Sequence, residues 1–431
     1  MKFANINFEI NKHNSKLLKE MSQHSHMLKQ IESDFANQQE IMQQIPLVAD
    51  LFSDQIDNIS SIKSYLKLLR DMKINTIVII ADDQASLLAK AIFEIFFGKY
   101  SNRKPQFELI FIDNSISSEN LVGELLNVKD KIYAINYISK SGIAVDTGIA
   151  FREFRQKLID KLNKDGYDSK FVNRLIYITT DNQDNVLNSL VKLHYYPKFS
   201  ISPNSSLVYN AYNAITIFTL LAYGVDIDDY LEYSKRLYNE FINTKYSNNP
   251  IYQYALARYV LCDKLNYSNE FLIVKQFELL SLGEWAQMLL TQTKNKNTNA
   301  LITQAFLNDN DFKNKQWNTG QENFIFKTYI NNSEFDNLQF SEFIKGYDIL
   351  EFTRSRKEDV KKQLQNIDIA DESNLLELQI NIERFDLHNI IDLIFFIQFS
   401  SIISAMLRGV DPFNQPGIHV YKRNFYNITL K

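Results

Sequence analysis

The chain has 431 residues, of which 45% are hydrophobic, and this length is enough for two domains with large cores. Charged residues make up 23% and the formal net charge is -4, which excludes nucleic acid or an anionic membrane as a partner held by bulk electrostatics. The single cysteine, Cys262, excludes an internal disulfide and a cysteine metal cluster, and it predicts a buried thiol in a reducing, cytoplasmic compartment.

The N-terminal region carries no pattern for export or membrane insertion. The first residues lack the apolar segment of a signal peptide, and we expect no run that approaches the ~20 apolar residues needed to cross a bilayer. Residues 12–44 are polar and favour helix, with apolar side chains such as Leu17, Met21 and Leu28 near helical spacing. The sequence therefore predicts an N-terminal helical arm over residues 1–45.

Short apolar runs, each followed by polar residues and a helical pattern, come next. They lie at residues 74–83, 107–114, 131–142 and 174–182. Strands that alternate with helices predict a doubly wound α/β domain with a parallel sheet, in which ligands bind beyond the carboxyl ends of the strands. We place this first domain at residues 46–200.

A helical segment and a second, weaker α/β region complete the chain. Residues 201–262 have a helical pattern and are predicted to connect the two domains. Residues 263–431 contain further strand-like runs and an apolar helix near residues 390–407, and they form the predicted second domain. The sequence has no fixed-period repeat and no low-complexity linker.

Two segments resemble the signatures of glucose-6-phosphate isomerases. Residues 135–158 read INYISKSGIAVDTGIAFREFRQKL, where the family has a strand that ends in SKSGTT and a helix that reads AIAFR. Residues 409–424 read GVDPFNQPGIHVYKRN, which is similar to the family's NPFDQPGVEAYK. The resemblance covers residues 47–431 and implies two doubly wound parallel-sheet SIS (sugar isomerase) domains with covering helices. It also implies a homodimer whose active sites use both subunits, without a cofactor or metal.

The family's catalytic positions carry unsuitable residues in this chain. The family's general base is the glutamate of a GESEGK-like motif, and Gln292 takes its place, although an amide cannot accept a proton near neutral pH. The family histidine that helps to open the sugar ring corresponds to Trp317, whose indole only donates a hydrogen bond. Glu284 is an alternative base, but it matches another family position on the preceding helix.

The family's anion-binding elements are changed as well. The arginine of its GGRYS motif corresponds to Val208, and its GIGGS turn corresponds to residues 81–85, which include Asp82 and Asp83. Two carboxylates at that turn would repel a phosphate by about 1 kcal/mol or more per close charge pair. They also suggest a metal site, but a polar turn is the favoured reading because histidine and further carboxylates in register are missing nearby.

Part of the phosphate and sugar site is retained. The matching residues are Ser139, Lys140, Ser141 and Gly142 in the phosphate loop, and Gln415 and Lys422 in the second signature. Ile143 and Ala144 replace the two threonines of the loop. In the family the lysine matched by Lys422 lies near the sugar ring and aids ring opening. Each retained residue also has a structural reading, because a strand-to-helix turn needs small and capping residues and Lys422 can be a solvated charge.

Three functions stay open at this point. The favoured hypothesis is a catalytically inactive homologue, not an enzyme, that serves as a structural or interaction subunit of a larger protein assembly. The low glycine content, 11 of 431 residues against a usual ~7%, fits the loss of a phosphate pocket. A divergent active isomerase of glycolysis, converting glucose 6-phosphate to fructose 6-phosphate, needs a relocated base. The third hypothesis is a sensor that binds sugar phosphate without turnover.

Overall fold

The computed structural model describes residues 1–10, 14–54, 56–98, 104–113, 117–140, 142, 144–181, 183–291, 301–308, 324–332 and 375–413. Its strands are β1 (Lys2–Phe3), β2 (Ile6–Ile10), β3 (Thr76–Ala81), β4 (Glu108–Ile112), β5 (Ala134–Ile138), β6 (Ile176–Asp181), β7 (Lys198–Ile201), β8 (Asn269–Val274), β9 (Ile302–Leu307), β10 (Ile325–Asn332) and β11 (Leu376–Ile382).

The helices cover these strands. They are α1 (Ser15–His24), α2 (Met27–Ala36), α3 (Gln38–Gln44), α4 (Pro46–Phe52), α5 (Ile56–Asp71), α6 (Asp83–Phe97), α7 (Ser118–Asn127), α8 (Val145–Lys164), α9 (Ser169–Arg174), α10 (Val186–His194), α11 (Ala214–Tyr223), α12 (Ile227–Asn243), α13 (Pro250–Asp263), α14 (Leu280–Thr291) and α15 (Leu387–Leu407), with a 3-10 helix at Phe277–Leu279. Contacts within the chain divide it into a first unit, Gln39–Lys235, and a second unit, Met1–Gln38 with Arg236–Lys431. The domain boundaries given by the sequence patterns stay a prediction.

The first unit is built on a five-stranded parallel sheet. Its order is β4-β3-β5-β6-β7, and each neighbouring pair is parallel. Strands β3, β5 and β6 are buried at every position, as expected where helices cover both faces of a parallel sheet. The chain starts in the middle with β3, adds β4 on one side and then crosses to add β5 on the other. This confirms the doubly wound prediction and puts the topological switch point at the carboxyl ends of β3 and β5.

The second unit has a six-stranded mixed sheet of order β1-β2-β11-β10-β8-β9. Strands β8 to β11 are parallel to one another, whereas β2 pairs antiparallel with both β1 and β11. The N-terminal strands are a difference from the helical arm expected over residues 1–45. Ile6 and Phe8 are buried and alternate with less buried residues, which is the two-residue period of a strand with one face on the core.

Helix α15 is the apolar helix of the second unit. Its 21 residues, with a mean hydropathy of 2.1 over an 18-residue window, make it long and apolar enough to cross a membrane, so the expectation that no segment approaches this length was wrong. However, 94% of its apolar window is buried inside the protein. A helix that is apolar on all sides is also typical of a protein core, and the burial indicates that reading here.

The second unit also contains a fully buried ion pair. Arg258, on α13, donates from Nε to Glu270 Oε2 on β8 over 2.8 Å, and the two side chains are 1% and 0% exposed. Cys262, one turn further along α13, is buried as predicted. The pair joins α13 to β8, which lies between β10 and β9 in the sheet, without access to solvent.

Candidate functional site

The SKSG segment lies at the switch point of the first unit. It connects β5 to α8, and we call its described residues, Ser139, Lys140, Gly142 and Ala144, the β5 exit loop. The backbone N–H of Gly142 donates to Ser139 Oγ over 3.0 Å. Gly142 has φ of +70°, and a Cβ on it would lie 2.7 Å from Leu187 Cγ. Glycine is therefore required at this position for both its backbone conformation and its closeness to α10.

Helix α8 begins behind this loop without a side-chain cap, because residue 144 is alanine. By contrast, α6, α7 and α10 follow β3, β4 and β6 and begin with Asp82, Ser117 and Asn185, each of which accepts a backbone N–H of the first turn. First-turn N–H groups lack intrahelical partners and carry partial positive charge. The start of the 20-residue α8 can therefore receive an anion such as a phosphate.

The side chain of Lys140 connects the β5 exit loop to the segment that follows β7. Its Nζ donates to the carbonyl oxygens of Pro203 over 2.5 Å and Ser205 over 2.9 Å. Burial lowers the pKa of Lys140, and the nearby carboxylates of Asp181 and Asp50 oppose that shift. Lys140 thus links the β5 exit loop to the segment after β7.

The main chain of Lys140 is fixed as firmly as its side chain. Its carbonyl oxygen accepts hydrogen bonds from Thr180 Oγ1 and Asn185 Nδ2, both over 3.1 Å. Asn185 Nδ2 also donates to Asp181 Oδ1 over 2.8 Å. These contacts join the exits of β5 and β6, so the orientation of the loop peptide is set before any ligand binds.

Asp50, on α4, supports the same segment from behind. It is 6% exposed, and its Oδ1 accepts a hydrogen bond from Ser205 Oγ over 2.5 Å. Burial raises the pKa of Asp50 to about 6, against the opposing effects of the Ser205 hydrogen bond, the nearby Lys140 and the hydrogen bond from Asn213. A carboxylate beneath the loop is therefore linked to Lys140 through Ser205.

Sequence reasoning missed Asp50, although α4 contained a signal for it. The helix reads PLVADLF, and Leu47, Val48 and Leu51 are buried together with Asp50. An aspartate on the apolar face of a helix has to find a hydrogen-bond partner, because burying an isolated charge is costly. The pattern indicated a buried carboxylate, but the residue that binds it was not visible from the sequence.

The acidic turn after β3 has a structural role. Asp82 is the N-cap residue of α6, and its Oδ1 accepts the backbone N–H of Gln84 over 3.2 Å. This supports the polar-turn reading. Val208 is 4% exposed, and the nearby Ser206 Oγ accepts the N–H groups of Val208 and Tyr209, each over 3.1 Å. Position 208 is therefore part of a packed turn.

The remaining predicted site residues are not all described. Ser141, Gln292, Trp317, Gln415 and Lys422 lie outside the described residues, so their roles stay predictions. Among the described positions, the structure brings Ser139, Lys140 and Gly142 together at the carboxyl end of β5. The alternative base Glu284 lies on the exposed side of α14.

Comparison with known proteins identifies relatives over most of the chain. No family model matches it. The chain is 32% identical to the glucose-6-phosphate isomerase of Mycoplasmopsis synoviae (strain 53) over 368 residues, which is 83% of each chain. It is 28% identical to the glucose-6-phosphate isomerase of Onion yellows phytoplasma (strain OY-M) over 360 residues, 82% of this chain and 83% of the relative.

These relatives correct the expectation that the protein is not an enzyme. Relatives that are 32% and 28% identical over the aligned residues are named as isomerases, so the prediction of a non-enzymatic pseudo-isomerase was wrong. That prediction depended on four changed elements, at Gln292, Trp317, Val208 and the turn at Asp82 and Asp83, and the first two were matched to family positions outside the two signatures. A shift of a few residues in either segment changes which side chain occupies the catalytic position.

Solved structures share the fold. A hypothetical protein from Thermus thermophilus superposes with a TM-score of 0.76 at 14% identity, covering 99% of this chain and all of that one. A glucose-6-phosphate isomerase from Chlamydia trachomatis superposes with a TM-score of 0.75 at 14% identity, covering 99% of this chain and 89% of its own. The 32% identical relative shows the family, and the doubly wound sheet with the SKSG loop at its switch point agrees with it. The chain belongs to the glucose-6-phosphate isomerase family.

Proposed function

We propose that the protein is an active isomerase that interconverts glucose 6-phosphate and fructose 6-phosphate. The observation that carries the proposal is the β5 exit loop, which lies at the switch point in front of the uncapped start of α8. A sugar phosphate presents a dianion, and the first-turn N–H groups of α8, which lack a side-chain cap, are suited to bind it. The names of the relatives support the choice of sugar.

The described residues of the first unit bind and orient the substrate in this proposal. Isomerisation moves a proton between C1 and C2, so the phosphate is remote from the reacting atoms. Contacts to it contribute to catalysis by holding the reacting carbons in position. Asp50 is 6% exposed and accepts a hydrogen bond from Ser205, so it is not suited to contact the sugar. Proton transfer is assigned to another carboxylate, which the ungapped match at Gln292 did not identify.

The proposal includes a cytoplasmic location and a homodimer. Sugar phosphates are metabolites of the cell interior, and a chain with one buried cysteine needs no oxidising compartment to fold. Size-exclusion chromatography with light scattering measures the oligomeric state directly. A mass of one chain at assay concentration would contradict the dimer.

The proposed activity is tested with purified protein and fructose 6-phosphate. Glucose 6-phosphate is detected through its dehydrogenase and the appearance of NADPH. We expect turnover with kcat in the usual range of about 1–10³ s⁻¹. A folded protein without turnover would overturn the proposal, and calorimetric binding of fructose 6-phosphate in that case would favour the sensor hypothesis.

Replacing Lys140 is expected to weaken substrate binding. Lys140→Met removes the two hydrogen bonds to Pro203 and Ser205 and the charge beside the loop. Hydrogen bonds to charged groups contribute about 1.5–3 kcal/mol, so KM for fructose 6-phosphate should rise about tenfold or more. The matched control is Lys63→Met, because Lys63 forms an exposed ion pair with Asp228. An equal KM in both variants would show that Lys140 does not support the anion site.

A further inference from the structure

We propose that Asp50 is a positioning residue for the anion site, which acts on Lys140 through Ser205. In its carboxylate form it holds the segment after β7, and carbonyl oxygens of that segment accept the ammonium of Lys140. The inference rests on the proposed function for its substrate, but it concerns an anion site that can be tested without turnover. Neither the sequence motifs nor the names of the relatives assign a role to Asp50.

The first step is the contact between Asp50 and the segment 202–206, which we call the 202–206 loop. Ser205 Oγ donates to Asp50 Oδ1 over 2.5 Å, and Ser205 is 2% exposed. Hydrogen bonds to an ionised acceptor are shorter and about twice as strong as neutral ones. Ser205 is also tied into the turn by its own N–H, which donates to the carbonyl oxygen of Ser202 over 2.9 Å. Asp50 therefore fixes one residue of a tight turn.

The second step links the same residue to Lys140. The carbonyl oxygen of Ser205 accepts Lys140 Nζ over 2.9 Å, while its hydroxyl binds Asp50. One residue thus transmits the position of the Asp50 carboxylate to the lysine. The second acceptor of the ammonium, the carbonyl oxygen of Pro203, lies in the same loop. Movement of the 202–206 loop would displace both acceptors together.

The charge of Asp50 depends on the pH and on the groups around it. Among the described residues, the charge of Lys140 lowers the pKa of Asp50, and so do the hydrogen bonds that Asp50 accepts from the neutral side chains of Ser205 and Asn213. The carboxylate of Asp181 in turn raises the pKa of Lys140. Burial raises the pKa of Asp50 to about 6, so the carboxylate takes up a proton as the pH falls through that value. The charge-assisted hydrogen bond to Ser205 is then lost. Anion affinity should fall over the same interval.

Asp50 does not have the properties of a purely stabilising residue. In the unfolded chain it titrates near its ordinary pKa of 3.8, whereas in the folded protein it titrates at about 6. The stability associated with this group is present below the lower value and is lost as the pH rises through the higher one. At neutral pH the ionised carboxylate therefore costs stability, so stability alone does not account for an aspartate at this position.

The test compares Asp50→Asn with Asp168→Asn, which changes an exposed helix cap outside the site. The binding probe is inorganic sulfate, measured by calorimetry, because its charge is constant in this pH range while that of a sugar phosphate is not. At about pH 8 we expect Asp50→Asn to bind sulfate about fivefold more weakly, with KM for fructose 6-phosphate raised equally and kcat changed less than about twofold. The Asp168→Asn variant should bind sulfate like the wild type.

The pH profile separates a positioning role from a structural one. Wild-type affinity for sulfate should fall as the pH decreases through about 6, whereas the affinity of Asp50→Asn should be flat there. The melting temperature of Asp50→Asn should equal or exceed that of the wild type at neutral pH. Parallel pH profiles of the two proteins, equal affinities, or a wild type that binds no sulfate would each overturn the inference.

Ser205→Ala keeps the inference testable if Asp50→Asn does not fold. It leaves the carbonyl oxygen that accepts Lys140 and removes only the hydroxyl that binds Asp50. We expect the same loss of sulfate affinity, and undiminished binding would overturn the inference. A wild type without isomerase activity that still showed these sulfate effects would contradict the proposed function and leave the role of Asp50 intact.

Discussion

Replacing Arg258 by methionine should lower the free energy of unfolding by about 3–5 kcal/mol, because it leaves the Glu270 carboxylate buried without its counter-charge. Both side chains are almost fully inaccessible, so water cannot take the place of the guanidinium. Methionine has a similar length and keeps the apolar packing. The loss therefore comes from the unbalanced charge and the lost guanidinium hydrogen bonds, and it should appear in urea denaturation as a lower midpoint with an unchanged slope.

The size of this effect depends on how completely Glu270 is coordinated. Its carboxylate accepts hydrogen bonds from Tyr254 Oη (2.6 Å), Arg258 Nε (2.8 Å), Thr303 Oγ1 (2.9 Å) and Thr328 Oγ1 (2.7 Å). Arg258 in turn donates to the Leu290 carbonyl oxygen over 3.2 Å. Removing the arginine leaves three hydroxyl donors, which satisfy the lone pairs of the carboxylate but do not balance its charge.

The matched control is Arg384→Met. Arg384 forms an ion pair with Asp386, but its side chain is 69% exposed. Exposed ion pairs contribute about 0–1 kcal/mol, so the urea midpoint should barely move. Similar losses in the two variants would show that burial of the Arg258 pair does not determine its contribution.

The sequence was sufficient to predict the features that are specified by residues close together in the chain. The first sheet follows from apolar runs alternating with helical patterns, and the SKSG motif located the β5 exit loop at its switch point. In contrast, β2 pairs with β11, as in the contact of Ile10 with Leu378, and Asp50 binds a serine 155 residues away. Nothing local specifies which distant segment completes such a contact.

The prediction that the protein is not an enzyme failed for a related reason. Gln292 was matched by continuing without gaps from the LGEWAQMLL helix, and Trp317 by matching KQWNTGQ to the family's DLHSMGQ. Both matches are valid only if no residue is inserted or deleted there. The loop residues were matched inside a motif, so no spacing had to be assumed. For this chain, the two signatures identified the family and the fold, whereas single positions matched outside those signatures gave a wrong conclusion about activity.

Gly142→Ala should raise KM for fructose 6-phosphate by about 100-fold, since displacing a binding group by about 1 Å can cost that much. The residue has φ of +70°, and the new Cβ would meet Leu187 Cγ at 2.7 Å and Cδ2 at 3.3 Å. Leu187 is 1% exposed and packed in the core, so it has little room to retreat. The exit loop must move instead, together with the Gly142 N–H that donates to Ser139.

Gly166→Ala is the control that separates this displacement from backbone strain. Gly166 has φ of +81°, follows the opposite end of α8, and has no atom within 4 Å of the position its Cβ would take. Both variants therefore carry the left-handed strain of about 1–2 kcal/mol, but only Gly142→Ala adds a collision next to the anion site. We expect Gly166→Ala to lose stability and keep its KM and sulfate affinity. If both variants kept the wild-type KM and sulfate affinity, the β5 exit loop would not be the phosphate site, because a loop forced out of position could not bind the anion as before.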